Sequence, residues 1–184
     1  MKKYLALLSI LAMLFCSACA NKADTSSSQE ANAFIPGEIV ANDFIFTFAG
    51  TKYSLGSEAA ALISAIKTVY GAEMDMSEAQ SCMFAGMDRE YYNDDLVLAT
   101  YPYGKNGEDM LETVMVFSPE YPTARGICVG AERALVEKTY GENYTFDFNQ
   151  MFYSMNDEEN SPLIVFTLEN DIVTDYYIFL NTGV

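Results

Sequence analysis

The chain has 184 residues, 51% of them hydrophobic, with 26 acidic against 10 basic side chains and a net charge of −16. A surface that negative repels phosphate backbones and anionic lipid headgroups, which argues against nucleic acid as a partner. Histidine is absent, so the commonest general base and metal ligand is missing, and no Ser-His-Asp, Cys-His or His-Glu-x-x-His arrangement can be built.

Lys2 and Lys3 precede an apolar run from Tyr4 to Phe15 broken only by Ser9, and the small residues Ser17, Ala18 and Ala20 follow. This is the layout of an export signal, and the run is shorter than the roughly 20 residues that span a bilayer. Ser17-Ala18-Cys19 resembles the end of a bacterial lipobox, in which a small pair precedes a cysteine that receives diacylglycerol and becomes the new N-terminus. Cys16 stands where that motif carries an aliphatic residue. The resemblance implies a signal over 1–18, lipidation at Cys19, and an extracytoplasmic protein held to a bacterial membrane by its N-terminal lipid. The alternative is an ordinary small-x-small cleavage site at Ala18-Cys19-Ala20, which releases a soluble protein. All 26 acidic but only 8 of the 10 basic residues lie beyond the signal, giving the processed chain a charge of −18.

Residues 19–36 are expected to be a flexible, Ser-rich tether, since Asn21 to Ala33 is polar without apolar periodicity. A first half-domain is expected over 37–122. Phe44 to Phe48 and Thr51 to Leu55 form a hairpin across Ala49-Gly50. Gly56 breaks the strand, Ser57 caps a helix, and Leu62, Ile63, Ile66, Val69 and Tyr70 share one face until Gly71. Strands are expected at Ser81 to Phe84, Glu90 to Tyr92, Asp95 to Tyr101 and Leu111 to Phe117. Met74 and Met76 read as packing residues in a connection.

The second half-domain, 123–184, repeats the plan. A short strand ends at Gly130, a helix runs from Ala131 to Tyr140, and Gly141 closes it. Tyr144 to Phe148 alternates aromatic with polar residues, and strands follow at Gln150 to Met155, Leu163 to Leu168 and Ile172 to Leu180. Each half thus has a glycine, an amphipathic helix ending in Tyr-Gly, and antiparallel strands, which reads as an internal duplication. The expected class is α+β: two repeated half-domains, each an amphipathic helix packed on its antiparallel sheet. The expected core is Phe46, Leu62, Ile66, Val97, Val114, Val136, Ile164, Phe166 and Ile178. Element order together with Gly56, Tyr70-Gly71, Gly130 and Tyr140-Gly141 resembles the β-lactamase-inhibitor-protein architecture and the related SmpA/OmlA small lipoprotein domain over about residues 44 to 180. That resemblance implies a non-catalytic, partner-binding protein. It supplies no target and no binding residues.

The acidic groups Asp88, Glu90, Asp94, Asp95 and Asp157 to Glu159 read as solvated turns. A carboxylate pair for a hydrolase is the alternative, and no Ca²⁺-loop pattern is present. No cofactor or metal site is indicated. Cys82 and Cys128 are permitted to bridge in an oxidising compartment, with two buried thiols as the alternative. The better lead is tyrosine. Strand alternation turns one of Tyr91 and Tyr92 outward. The breaker-rich loop after Tyr101 sets Tyr101 and Tyr103 beside Lys105, a cation in an acidic chain, and this edge is the candidate binding site for a protein or glycan. The expected function is a membrane-anchored binding lipoprotein, with a carboxylate-dependent extracytoplasmic hydrolase as the alternative.

Overall fold

The computed structural model describes residues 34–182. The expected export signal, Cys19 and the expected tether up to residue 33 lie outside the described residues. Ten strands and two α-helices follow one another: β1 (Ile45–Phe48), β2 (Thr51–Ser54), α1 (Ala60–Tyr70), β3 (Asp75–Gln80), β4 (Met87–Tyr92), β5 (Leu96–Tyr103), β6 (Glu108–Val116), α2 (Arg133–Tyr140), β7 (Thr145–Asp147), β8 (Gln150–Ser154), β9 (Leu163–Glu169) and β10 (Ile172–Phe179). β1 and β2 form a separate hairpin. The other eight strands make one antiparallel sheet in the order β3-β4-β5-β6-β10-β9-β8-β7.

This corrects the expected fold class. The fold is mostly β, with 42% of the described residues in strands and 15% in helices, and it is not two repeated helix-on-sheet half-domains. The expected halves share one sheet, because β6 hydrogen-bonds along β10 from Val116↔Tyr176 to Thr113↔Phe179. Both helices and the β1–β2 hairpin contribute to a single core cluster, which joins Phe46, Leu62 and Val136 to Leu98, Val114, Ile178 and Ile164. Matched Tyr-Gly endings mark two helix stops without making two domains. Gly71 takes the left-handed conformation at φ 70° and donates its N–H to Lys67 O, which suits a residue without a Cβ.

Four local expectations also change. Ser57 does not cap α1: its hydroxyl donates to Ser54 O, and the residue before the helix is Ala59. Ser81 to Phe84 is a loop, while the neighbouring Asp75–Gln80 is the edge strand β3, exposed along its whole length. The segment before Gly130 is a loop rather than a strand. Val97 leaves the core, since Leu96 and Leu98 on either side of it point inward and successive strand side chains alternate faces.

The N-terminal segment is fastened to the core by Arg125. Its guanidinium grips Asp43 bidentately, Nε to Oδ1 at 2.7 Å and a terminal nitrogen to Oδ2 at 2.6 Å. It also donates to the carbonyls of Ile35, Glu38 and Thr139. The rings of Phe34 and Tyr140 flank it at 4.8 and 4.7 Å. Phe34 and Ile35, read as the end of the tether, therefore touch the folded domain.

Candidate binding face

One face of the sheet carries the core, and the opposite face carries a second apolar surface. The register places Tyr92, Val97, Met115, Tyr177, Val165 and Phe152 side by side across β4, β5, β6, β10, β9 and β8. A second row beside it runs Glu90, Ala99, Thr113, Phe179, Leu163 and Ser154. The strands are apolar on both sides because runs such as Leu96-Val97-Leu98 and Leu163-Ile164-Val165-Phe166 offer hydrophobic side chains to both faces. Val165 is fully buried yet stands apart from the core cluster, because Phe152 and Tyr177 flank it. Most of the other side chains in these rows are half-exposed.

Polar groups frame the apolar rows. At one end Gln150 donates to Thr167, which donates to Asp175 at 2.8 Å, a short ladder across β8, β9 and β10. Burial pushes the Tyr177 phenol up, with Asp175 adding to the effect. On β4, next to the edge strand, Asp88 lies on the same face as Glu90 and Tyr92 by strand alternation. Its Oδ1 is buried without a hydrogen-bond partner among the described residues. Such an oxygen costs free energy until a donor reaches it.

The structure brings only part of the expected tyrosine edge together. Tyr101 and Tyr103 share the open face of β5, two residues apart. Tyr101 is half-buried and stacks on Phe84 at 4.9 Å, and its phenol is raised by burial, then by Glu112 and Tyr103. Tyr103 is 61% exposed, and Lys105 follows in the exposed β5–β6 turn. Tyr92 lies on this face too, but opposite Val97, four residues and roughly 13 Å along the strand from Tyr101. Tyr91 points to the helix side, where its hydroxyl donates to Asp109 at 2.7 Å. Burial and that bond push its phenol up to about 12.

Tyr91 and Asp109 border a hollow of about 470 Å³ beside α1, with Glu58, Lys67 and Glu73 on its walls. Its charges are largely satisfied internally: Lys67 pairs with Glu73, and Arg89 with Asp109. The remaining acidic residues are spread out. Asp95 accepts the hydroxyl of Tyr70 at 2.5 Å, and Asp157 to Glu159 lie in the loop between β8 and β9.

Cys82 and Cys128 are not bridged. Cys82 is an exposed free thiol, in contrast to the buried setting expected of it, whereas Cys128 is buried.

Sequence reasoning passed over Met115, Tyr177, Phe152 and Val165. A signal for them existed: strands apolar at consecutive positions have no polar side to give to water. No protein-family model, curated protein or solved structure matches the chain.

Proposed function

We propose that this chain is an extracytoplasmic lipoprotein, anchored to a bacterial membrane through Cys19, whose folded domain binds a protein partner on the open face of its eight-stranded sheet without catalysing a reaction. The observation that carries the binding reading is the row from Tyr92 to Phe152. Contiguous exposed apolar surface is a liability on a soluble domain and marks interaction sites. Tyrosine, phenylalanine and methionine are the side chains enriched where proteins meet. Asp88 and the Asp175 ladder set polar groups at the margin, as the polar rim of an interface does. Tyr103 and Lys105 extend this face at the β5–β6 end.

The anchor rests on the layout of residues 2–20 and is tested by Cys19→Ser. That variant is expected to leave the membrane fraction for the medium or periplasm, and equal retention of both forms excludes lipid anchoring. The binding reading is tested in the same cells with a photo-crosslinking amino acid at position 177 or at the exposed helix position Thr68. A discrete protein adduct from 177 and none from 68 is expected. The reverse pattern, or no adduct from either, removes the sheet face as the docking surface.

A further inference from the structure

The turn joining β7 to β8 contains Phe148 and Asn149, because Asp147 pairs directly with Gln150. Both turn residues have positive φ, 45° and 64°. Two-residue hairpin turns with this geometry favour Asn, Asp and Gly, whose side chains tolerate the left-handed region. The neighbouring β9–β10 turn follows that rule with Asn170 and Asp171, at φ 52° and 61°. Phe148 breaks it. A bulky side chain there is strained, and it gains no burial in return, being 90% exposed.

The tip is held firmly nonetheless. Asn149 O accepts the N–H of Leu168 at 2.8 Å, and Gln150 Nε2 donates to Thr167 Oγ1. Phe148 is therefore presented in a fixed place rather than on a loose loop. The β9–β10 turn lies at the same end of the sheet and adds Ile172, 38% exposed. Around these two apolar side chains stand Asp147, Glu169, Asp171 and Glu132, all exposed. Arg133, the base at this end, is engaged by Glu137 and Asp171.

We infer that Phe148 is an anchor that inserts into an apolar pocket ringed by lysine or arginine on a partner protein. Folding favours Asn at this position, and only a contact outside the chain gives a rigid, strained, exposed phenyl ring a use. The acidic collar fixes the charge of the pocket rim, since a negative rim on the partner would be repelled. An anionic bilayer would be repelled for the same reason. The inference rests on reading the chain as a binding module, but it concerns a different surface from the sheet face.

The test uses the full, lipid-anchored chain in its own cells, with p-benzoylphenylalanine at position 148. The expected product is a protein adduct whose crosslinked peptide, identified by mass spectrometry, lies beside Lys or Arg. Binding to that purified protein should weaken about tenfold or more in Phe148→Asn, persist in Phe148→Leu, and weaken with salt. The melting temperature of Phe148→Asn should equal or exceed that of the parent, so lost binding cannot be lost folding. An adduct only with a second copy of this chain, no adduct, or full binding by Phe148→Asn overturns the inference. So does Phe148-dependent sedimentation of the Cys19→Ser protein with phosphatidylcholine–phosphatidylglycerol vesicles. Adducts from position 177 but none from 148 defeat this inference alone, whereas silence at both positions defeats the binding module as well.

Discussion

Arg125 and Asp43, 82 residues apart in the chain, form a bidentate ion pair whose side chains are 1% and 0% exposed. The carboxylate also accepts the N–H of Val40 at 2.9 Å. The pair stands where the N-terminal segment of the described residues enters the domain. Removing one member of a buried pair strands the other charge, at a cost of about 3–5 kcal/mol. Asp43→Ala is therefore expected to lower the unfolding free energy by about that amount in urea titrations. A loss below about 1 kcal/mol would show that the pair is not structural.

The same seam depends on a glycine. A Cβ on Gly141 would sit 2.5 Å from the backbone nitrogen of Gly37, and Gly141 has φ 92°. Because Gly37 also donates to Tyr140 O at 2.7 Å, the N-terminal segment cannot shift without losing that bond. Gly141→Ala should cost about 1–3 kcal/mol through overpacking and open the amides of residues 37–43 to hydrogen exchange. Unchanged exchange there would contradict the packing.

Stability in acid should depend on Glu137. Hydrogen bonds from Tyr144 and then Arg133 hold its carboxyl below the ordinary carboxylate range. Because the folded pKa is depressed, the group stabilises the fold fully above its unfolded value of about 4.3. That contribution fades as pH falls from there through the folded pKa. Glu137→Gln should therefore unfold with a shallower pH dependence below about pH 4.3 than the parent. Parallel profiles would mean that the cluster does not couple to folding.

Cys82 should react with a maleimide in the native protein at the rate of an exposed thiol, since it is free and accessible. Cys82→Ser should change stability by no more than about 0.5 kcal/mol. A drop of several kcal/mol, of the size a lost disulfide produces, would indicate a covalent partner.

The legible parts of this fold were those with local causes. Ala49-Gly50 between the aromatic run ending at Phe48 and the segment Thr51 to Leu55 gave away the β1–β2 hairpin, and the spacing of Leu62, Ile63 and Ile66 gave away α1. β3 was hidden because an edge strand exposed on both sides has no apolar alternation to read. The merging of two expected halves into one sheet depends on β6 pairing with β10, a contact between Val116 and Tyr176 that no short-range signal announces. Arg125 was equally silent, as its partner lies far away in the chain. That Tyr101 and Tyr103 share one face follows from β5 running on to Tyr103, past the expected strand end at Tyr101, whereas alternation turned one of Tyr91 and Tyr92 outward, as observed. It could not show that β10 carries Tyr177 into the same row as Tyr92, because register across the sheet is tertiary information. Phe148 was legible only as the end of a stretch that alternates aromatic with polar residues, since its turn geometry follows from the pairing of Asp147 with Gln150.

The central claim, that the open sheet face docks a partner, is tested most directly by hydroxyl-radical footprinting of the full chain on intact cells and after detergent purification. Met115, Tyr92 and Tyr177 should be protected in cells and become reactive on purification, while Val69 on the exposed side of α1 reacts equally in both. Equal labelling of Met115, Tyr92 and Tyr177 in the two states would contradict the account.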